Sequence, residues 1–250
     1  MKIIVLVLLV LLSQKSFSQQ NVYTFNNGDL LNENEIKQFF DTVKKSVPLS
    51  YVLTPIIYHK VVKNDTIVNY VSFALDKKIA GQETPDFKFV YKQDSVFLLL
   101  HQPLPYFKLK ELAGNEVSSV QLLGKPTLIN FWATYCGPCI AEMPQLSKLK
   151  EKYKDKMNFI SITENSATGD NLKDFLQDKN FNFQVLEGGE AYKQALKISV
   201  IPKNLFLDKD GVLKYIEGNY PVDKNSTPID IDDKANFFTK IIEELIKDTK

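Results

Sequence analysis

Phe131-Trp132-Ala133-Thr134-Tyr135-Cys136-Gly137-Pro138-Cys139, entered through the apolar run Thr127-Leu128-Ile129-Asn130, governs how the rest of the chain is read. The apolar run predicts a buried strand. Gly137-Pro138 is a breaker pair that can open a helix at its first turn. Cys136 then falls at a helix N-terminus, where unpaired N–H groups and the macrodipole favour a thiolate over a thiol. Cys139, three residues on and one turn inward, is close enough to close a small disulfide ring. The pattern points to a reversible dithiol, with an exposed, acidic attacker and a shielded resolver. Half of a zinc site or a plain structural disulfide are the competing readings. Zinc takes four ligands, and the chain has no third cysteine and no histidine after His101.

The chain has 250 residues, 44% hydrophobic and 24% charged, a composition ordinary for globular domains and long enough for one large or two smaller ones. Its net charge of +1 suggests no strong electrostatic partner. Every basic residue is lysine; without arginine, and without lysines interleaved with aromatics, nucleic-acid binding is not expected. Residues 1–18 read as a secretory signal: Lys2, then the apolar Ile3–Leu12, then Ser16-Phe17-Ser18 as a small-x-small cleavage site. That apolar run is half the roughly twenty residues a spanning helix needs. Cleavage before Gln19 removes Lys2 and Lys15 and no acid, taking the charge from +1 to −1. An exported chain ordinarily spends cysteines on structural bridges. Here both cysteines lie in the C-x-x-C, so its only intramolecular disulfide is the reactive one.

Ahead of this stretch, residues 19–102 read as a small α+β unit of unknown role. Residues 19–31 are expected to be loop, around Asn26-Asn27-Gly28-Asp29. A helix is expected from Glu33 to about Lys45, with Ile36, Phe39, Phe40 and Val43 on one face and Asn32/Glu35 as a capping pair. Tyr51–Val71 reads as a hairpin turning at Asn64-Asp65, and Phe87–Tyr91 with Val96–Leu100 as a second one. His59 and His101 lie far apart, without ligand-spaced neighbours, and a shared metal is not expected. Gln102-Pro103-Leu104-Pro105 reads as a linker.

Residues 103–250 alternate strands and helices. A strand–turn–strand spans Phe107–Val117. After the strand before the dithiol come a helix over 140–153 with Pro144 inside it, a strand at Asn158–Ile162, a helix at Asn171–Gln177 and a strand at Phe181–Val185. A short helix at Ala191–Leu196, a hairpin of Asn204–Leu207 and Val212–Ile216, and a helix from about Asp233 complete the order. Such βα alternation argues for an α/β core with helices on both faces.

Phe-Trp-Ala-Thr-Tyr-Cys-Gly-Pro-Cys resembles the active site of the thioredoxin superfamily. With Leu123-Gly124-Lys125-Pro126 before it and Glu142-Met143-Pro144 after it, it is most similar to the exported TlpA/ResA-like thiol:disulfide oxidoreductases. The likeness covers about residues 105–250 and implies a thioredoxin fold, a central mixed sheet with helices on both faces, preceded here by the small α+β domain. It implies Cys136 as nucleophile and Cys139 as resolver, with Gly137-Pro138 the dipeptide associated with reductants. Ile201-Pro202 resembles the superfamily's cis-proline loop, which receives an extended substrate chain beside the dithiol. Lys203 departs from the small hydroxyl residue common after that proline and leaves substrate preference open. Asn130 stands where thioredoxin has a buried aspartate, and an amide cannot carry its proton. Glu142 matches an acid of the ResA-like members and is expected either to shuttle the Cys139 proton or to lie solvated on the helix surface. Trp132 and Tyr135 are expected as packing wall and substrate-facing surface, with core packing alone an equal account of Trp132.

The resemblance further implies a periplasmic or extracytoplasmic reductase of partner-protein disulfides, including apocytochrome c, fed by a membrane thiol carrier. No cofactor beyond the Cys136/Cys139 couple and no metal are expected. A disulfide oxidase or isomerase, and a redox-sensing adaptor using the N-terminal domain, remain open. Peroxide reduction and copper delivery lack their required cysteine and histidine contexts.

Overall fold

The computed structural model describes residues 19–25, 29–79, 86–223 and 225–248. The expected signal over 1–18, and Asn26-Asn27-Gly28 of the expected loop, lie outside the described residues. The chain divides into two compact units, Met1–Thr24 with Leu30–Phe89 and Phe25–Asp29 with Val90–Lys250.

The first unit holds β1 (Gln20–Thr24), α1 (Glu33–Lys44), β2 (Tyr51–Lys63) and β3 (Thr66–Lys77). The capping pair forms as expected: Asn32 Oδ1 accepts from the Asn34 and Glu35 N–H groups, and the Glu35 carboxylate accepts from the Asn32 N–H at 2.7 Å. Ile36 and Phe40 are the buried residues of α1. Phe40 packs edge-on against Phe73 and Phe87. β2 and β3 form one long antiparallel hairpin, and Asn64 at its turn takes a left-handed φ of 52°. Residues 20–24 are not loop: β1 pairs in parallel with Thr66–Tyr70 of β3. Its polar residues hide the strand from a hydrophobic pattern. Asn21 is instead recruited by the buried Asn69, whose Nδ2 donates to Asn21 Oδ1 at 2.9 Å and to the Val22 carbonyl at 3.1 Å.

In the second unit only β4 (Val90–Tyr91) is strand in the expected second hairpin, and residues 95–99 form a 3-10 turn. Asp94 Oδ1 accepts from the Val96 N–H at 3.3 Å and opens that turn, which buries Val96 and Phe97. A short apolar run carries no period that separates these outcomes.

The redox core runs β5 (Lys108–Glu111), β6 (Glu116–Ser118), β7 (Thr127–Trp132), α2 (Gly137–Tyr153), β8 (Asn158–Thr163), α3 (Leu172–Asp178), β9 (Gln184–Glu187), α4 (Glu190–Ala195), β10 (Lys203–Leu207), β11 (Leu213–Glu217) and α5 (Phe237–Lys247). The sheet order is β11-β10-β7-β8-β9-β5-β6. β7, β8 and β9 are parallel, while β10 and β11 continue antiparallel on one side and β5 and β6 on the other. This is the mixed sheet of the thioredoxin fold. All six residues of β7 are buried, which suits the central strand of a sheet covered on both faces. Two boundaries move. The strand expected from Phe181 begins at Gln184, because Phe181 and Phe183 stack on each other at 4.9 Å within the core. The last helix begins at Phe237, because Asn236 is its cap and accepts from the Thr239 N–H at 3.1 Å.

Candidate active site

β7 ends at Trp132, and five residues later the chain enters α2. Cys136 is the N-cap of that helix in extended conformation (φ −88°, ψ 95°), and Gly137 and Pro138 fill its first turn. Proline belongs there because its missing N–H would have no partner in a first turn. Cys136 and Cys139 form a disulfide across that turn, with Cα atoms 5.3 Å apart, and Cys136 Sγ also accepts from the Cys139 N–H at 3.3 Å. The exposed attacker of the sequence reading is corrected here. Cys136 retains 8% of its surface and Cys139 1%, so both sit in the apolar cluster with Trp132 and Met143, and only the ranking is as expected. Sulfur capping the helix draws Cys136 inward.

Glu142, one turn beyond Cys139, is 4% exposed, and the solvated alternative is therefore excluded. Its Oε1 accepts from Asn130 Nδ2 at 2.8 Å, and its Oε2 accepts from the Tyr220 N–H at 2.8 Å. Asn130 Nδ2 also donates to Asn204 Oδ1 at 2.9 Å, and Asn204 Nδ2 donates to the Gly218 carbonyl at 2.6 Å. Desolvation pushes the Glu142 carboxyl up to about 8, against the opposing hydrogen bonds from Tyr220, Asn204 and Asn130. Asn130 thus carries no proton itself but orients the acid that can. Asn204 escaped the sequence reading as a site residue, although an amide directly before Leu205-Phe206-Leu207 was a signal: a polar side chain buried in a strand needs a partner.

The Ile201–Pro202 bond is cis, and β10 begins at the next residue. Lys203 pairs through its backbone with Phe131 of β7. Its ammonium does not reach for solvent; it meets the Asp94 carboxylate at 2.8 Å, with the two side chains 11% and 18% exposed. Breaking a fully buried pair typically costs about 3–5 kcal/mol and an exposed one at most about 1 kcal/mol, and this part-buried pair lies between them. Asp94→Ala is therefore expected to lower unfolding stability by about 1–2 kcal/mol in urea titration, and Asp94→Leu/Lys203→Met to recover most of it. A loss below about 0.5 kcal/mol in the single variant would contradict that account.

Trp132 belongs to the packing wall alone. It is 2% exposed, stacks on Phe175 at 5.8 Å, and its indole N–H donates to Ser161 Oγ. An indole whose only polar atom is satisfied inside the core has no edge left for substrate. Tyr135, by contrast, is 71% exposed. A cavity of about 230 Å³ opens at the other end of β7, lined by Leu104, Phe107, Leu123, Ile129, Tyr192 and Leu207, away from the sulfurs. Among the described residues no group of three or more His, Cys, Asp or Glu side chains converges on a common metal position, and no helix is long and apolar enough to cross a membrane.

The chain has relatives among known proteins. The Redoxin family model matches residues 79–231. The thioredoxin-like protein YneN of Bacillus subtilis is 31% identical over 128 residues, 50% of this chain and 75% of that protein. The thiol-disulfide oxidoreductase ResA of Bacillus thuringiensis is 33% identical over 117 residues, 46% of this chain and 67% of that protein. Among solved structures, a thioredoxin-family thiol:disulfide interchange protein from Chlorobium tepidum aligns with a TM-score of 0.45 at 22% identity, covering 58% of this chain and 95% of that one.

Proposed function

Because this chain belongs to the Redoxin family, as a TlpA/ResA-like thiol-disulfide oxidoreductase of the thioredoxin superfamily, we propose that it is exported and reduces disulfides in partner proteins through Cys136 and Cys139. The observation that carries the reading is the Cys136–Cys139 disulfide closed over the first turn of α2, in a chain with no other cysteine. In the reduced form the Cys136 thiolate attacks one sulfur of a substrate disulfide. That bond breaks, its second sulfur leaves as a thiolate and takes up a proton, and a mixed disulfide remains. Cys139, after losing its proton to Glu142, attacks Cys136 Sγ, releases the other substrate thiolate, and closes the disulfide seen here. Two electrons have passed to the substrate. A thiol donor must restore them, and for an exported chain a membrane thiol carrier is the proposed source. Apocytochrome c is a client in keeping with the family.

Tyr135, Gly137, Pro138 and the Ile201–Pro202 loop form the proposed docking surface around the sulfurs. Export rests on the apolar Ile3–Leu12 run and the small residues that follow it. The direction is tested by equilibrating the protein without residues 1–18 against thiol buffers. A potential near −270 mV, roughly that of thioredoxin, supports a reductant, and one near about −120 mV makes the protein a disulfide donor instead.

A further inference from the structure

The two residues leaving β8 bind the two residues that precede the nucleophile. Asn165, 9% exposed, accepts the Thr134 N–H on its Oδ1 at 2.9 Å and the Thr163 hydroxyl on the same atom at 3.0 Å. Glu164 accepts the Tyr135 hydroxyl on Oε1 and the Lys193 ammonium on Oε2. Lys193, on α4, is bridged in turn to Glu190 at 3.1 Å. The anchor is shielded, with the Lys193 and Glu164 side chains 20% and 21% exposed, while Tyr135 itself stands 71% exposed beside Cys136. An exposed aromatic with a free hydroxyl samples several rotamers. This one is tethered at its tip by a charged group that Lys193 holds, Lys193 being bridged in turn to Glu190.

We propose that Glu164 and Asn165 are positioning residues that clamp Thr134 and Tyr135, so that the Tyr135 ring stands as a preformed face for the polypeptide chain flanking a substrate disulfide. The inference rests on the thiol–disulfide exchange reading of the site and names the substrate class: a disulfide within an extended protein chain, in preference to a small free disulfide. A preformed face removes part of the ordering cost of docking, and a substrate without flanking chain gains nothing from it. The hydrogen bond from Tyr135 to the Glu164 carboxylate also pushes the phenol above its ordinary value, which gives the clamp a spectroscopic readout independent of activity.

Tyr135→Phe keeps the ring and removes the tether, Glu164→Ala removes the anchor, and Glu164→Gln keeps an acceptor. Steady-state rates are measured with insulin as the protein disulfide and 5,5′-dithiobis(2-nitrobenzoate) as the small one. The expected result is a three- to tenfold fall in the ratio of kcat/KM for insulin to that for the small disulfide in Tyr135→Phe and Glu164→Ala, carried mainly by KM. The double variant falls no further than either single one, Glu164→Gln is closer to wild type, and the Tyr135 phenol titrates lower in Glu164→Ala. An unchanged ratio in Tyr135→Phe, a substitution too mild to prevent folding, overturns the clamp, as does strict additivity in the double variant. If the wild-type protein reduces neither probe, the exchange reading itself fails, and the phenol titration still decides whether the tether exists.

Discussion

Replacing Cys139 with serine is expected to stop turnover after a single exchange and to leave the protein covalently joined to its disulfide substrate. Cys136 caps α2 and keeps more surface than Cys139, 8% against 1%, so an incoming disulfide meets Cys136 first. The helix N-terminus then stabilises its thiolate through the macrodipole and the first-turn N–H groups, one of which, from Cys139, already points at Cys136 Sγ. With serine at 139 nothing within the protein can attack the mixed disulfide, and the adduct persists until an external thiol releases it. Non-reducing electrophoresis or intact mass measurement detects it directly. Cys136→Ser is expected to form no adduct and to lose turnover by about a thousandfold or more, since the nucleophile itself is gone. Should Cys136→Ser accumulate the adduct and Cys139→Ser not, the roles of the two sulfurs are reversed.

The fold of residues 103–250 was legible because its signals are local and strong. β7 is mostly apolar, Gly137-Pro138 follows it as a breaker, and the later strands and helices follow in the order the periodicity implies. What escaped depended on side chains meeting across long sequence separations. β1 is polar and becomes a strand because Asn69, 48 residues away, takes up Asn21. Residues 95–99 coil into a turn because Asp94 caps them with one carboxylate oxygen and holds Lys203, 109 residues on, with the other. At the site the cysteines, Glu142 and Pro202 were visible as a motif and its spacing. Glu164, Asn165 and Asn204 were not, because they reach the sulfur-bearing loop or its acid only once β7, β8 and β10 lie side by side. Trp132 shows the converse: adjacency in sequence to the dithiol left a substrate-facing role open, while a strand buried on both faces and a satisfied indole place it in the core.

Glu142→Gln is expected to slow resolution of the mixed disulfide by about a hundredfold near neutral pH, the scale of a lost general base, and to remove a pH dependence centred near 8. The structure holds the disulfide form, which in the proposed cycle follows transfer of the Cys139 proton to Glu142. Burial pushes the carboxyl up to about 8, so it keeps that proton at neutral pH, while the donors Asn130 Nδ2 and Tyr220 N–H keep the ionised state within reach for the next cycle. Glutamine preserves size and neutrality but can neither accept nor return a proton, and its amide places N–H groups against those same donors. Stopped-flow measurement of resolution from pH 6 to 9.5 separates the cases: equal rates and profiles in both proteins would exclude the proton role. Stability carries an independent sign. With the folded value raised to about 8 from the ordinary carboxylate value of 4.5, the folded protein retains a proton that the unfolded chain releases between those limits. The Glu142 contribution to wild-type stability therefore declines as pH rises from about 4.5 to 8, by an amount on the order of 5 kcal/mol at most. Glu142→Gln lacks this slope, so its stability relative to wild type improves from pH 5 to pH 8.5. Parallel urea midpoints across that range would mean that the carboxyl titrates as an ordinary acid, and the account of Cys139 deprotonation would need another base.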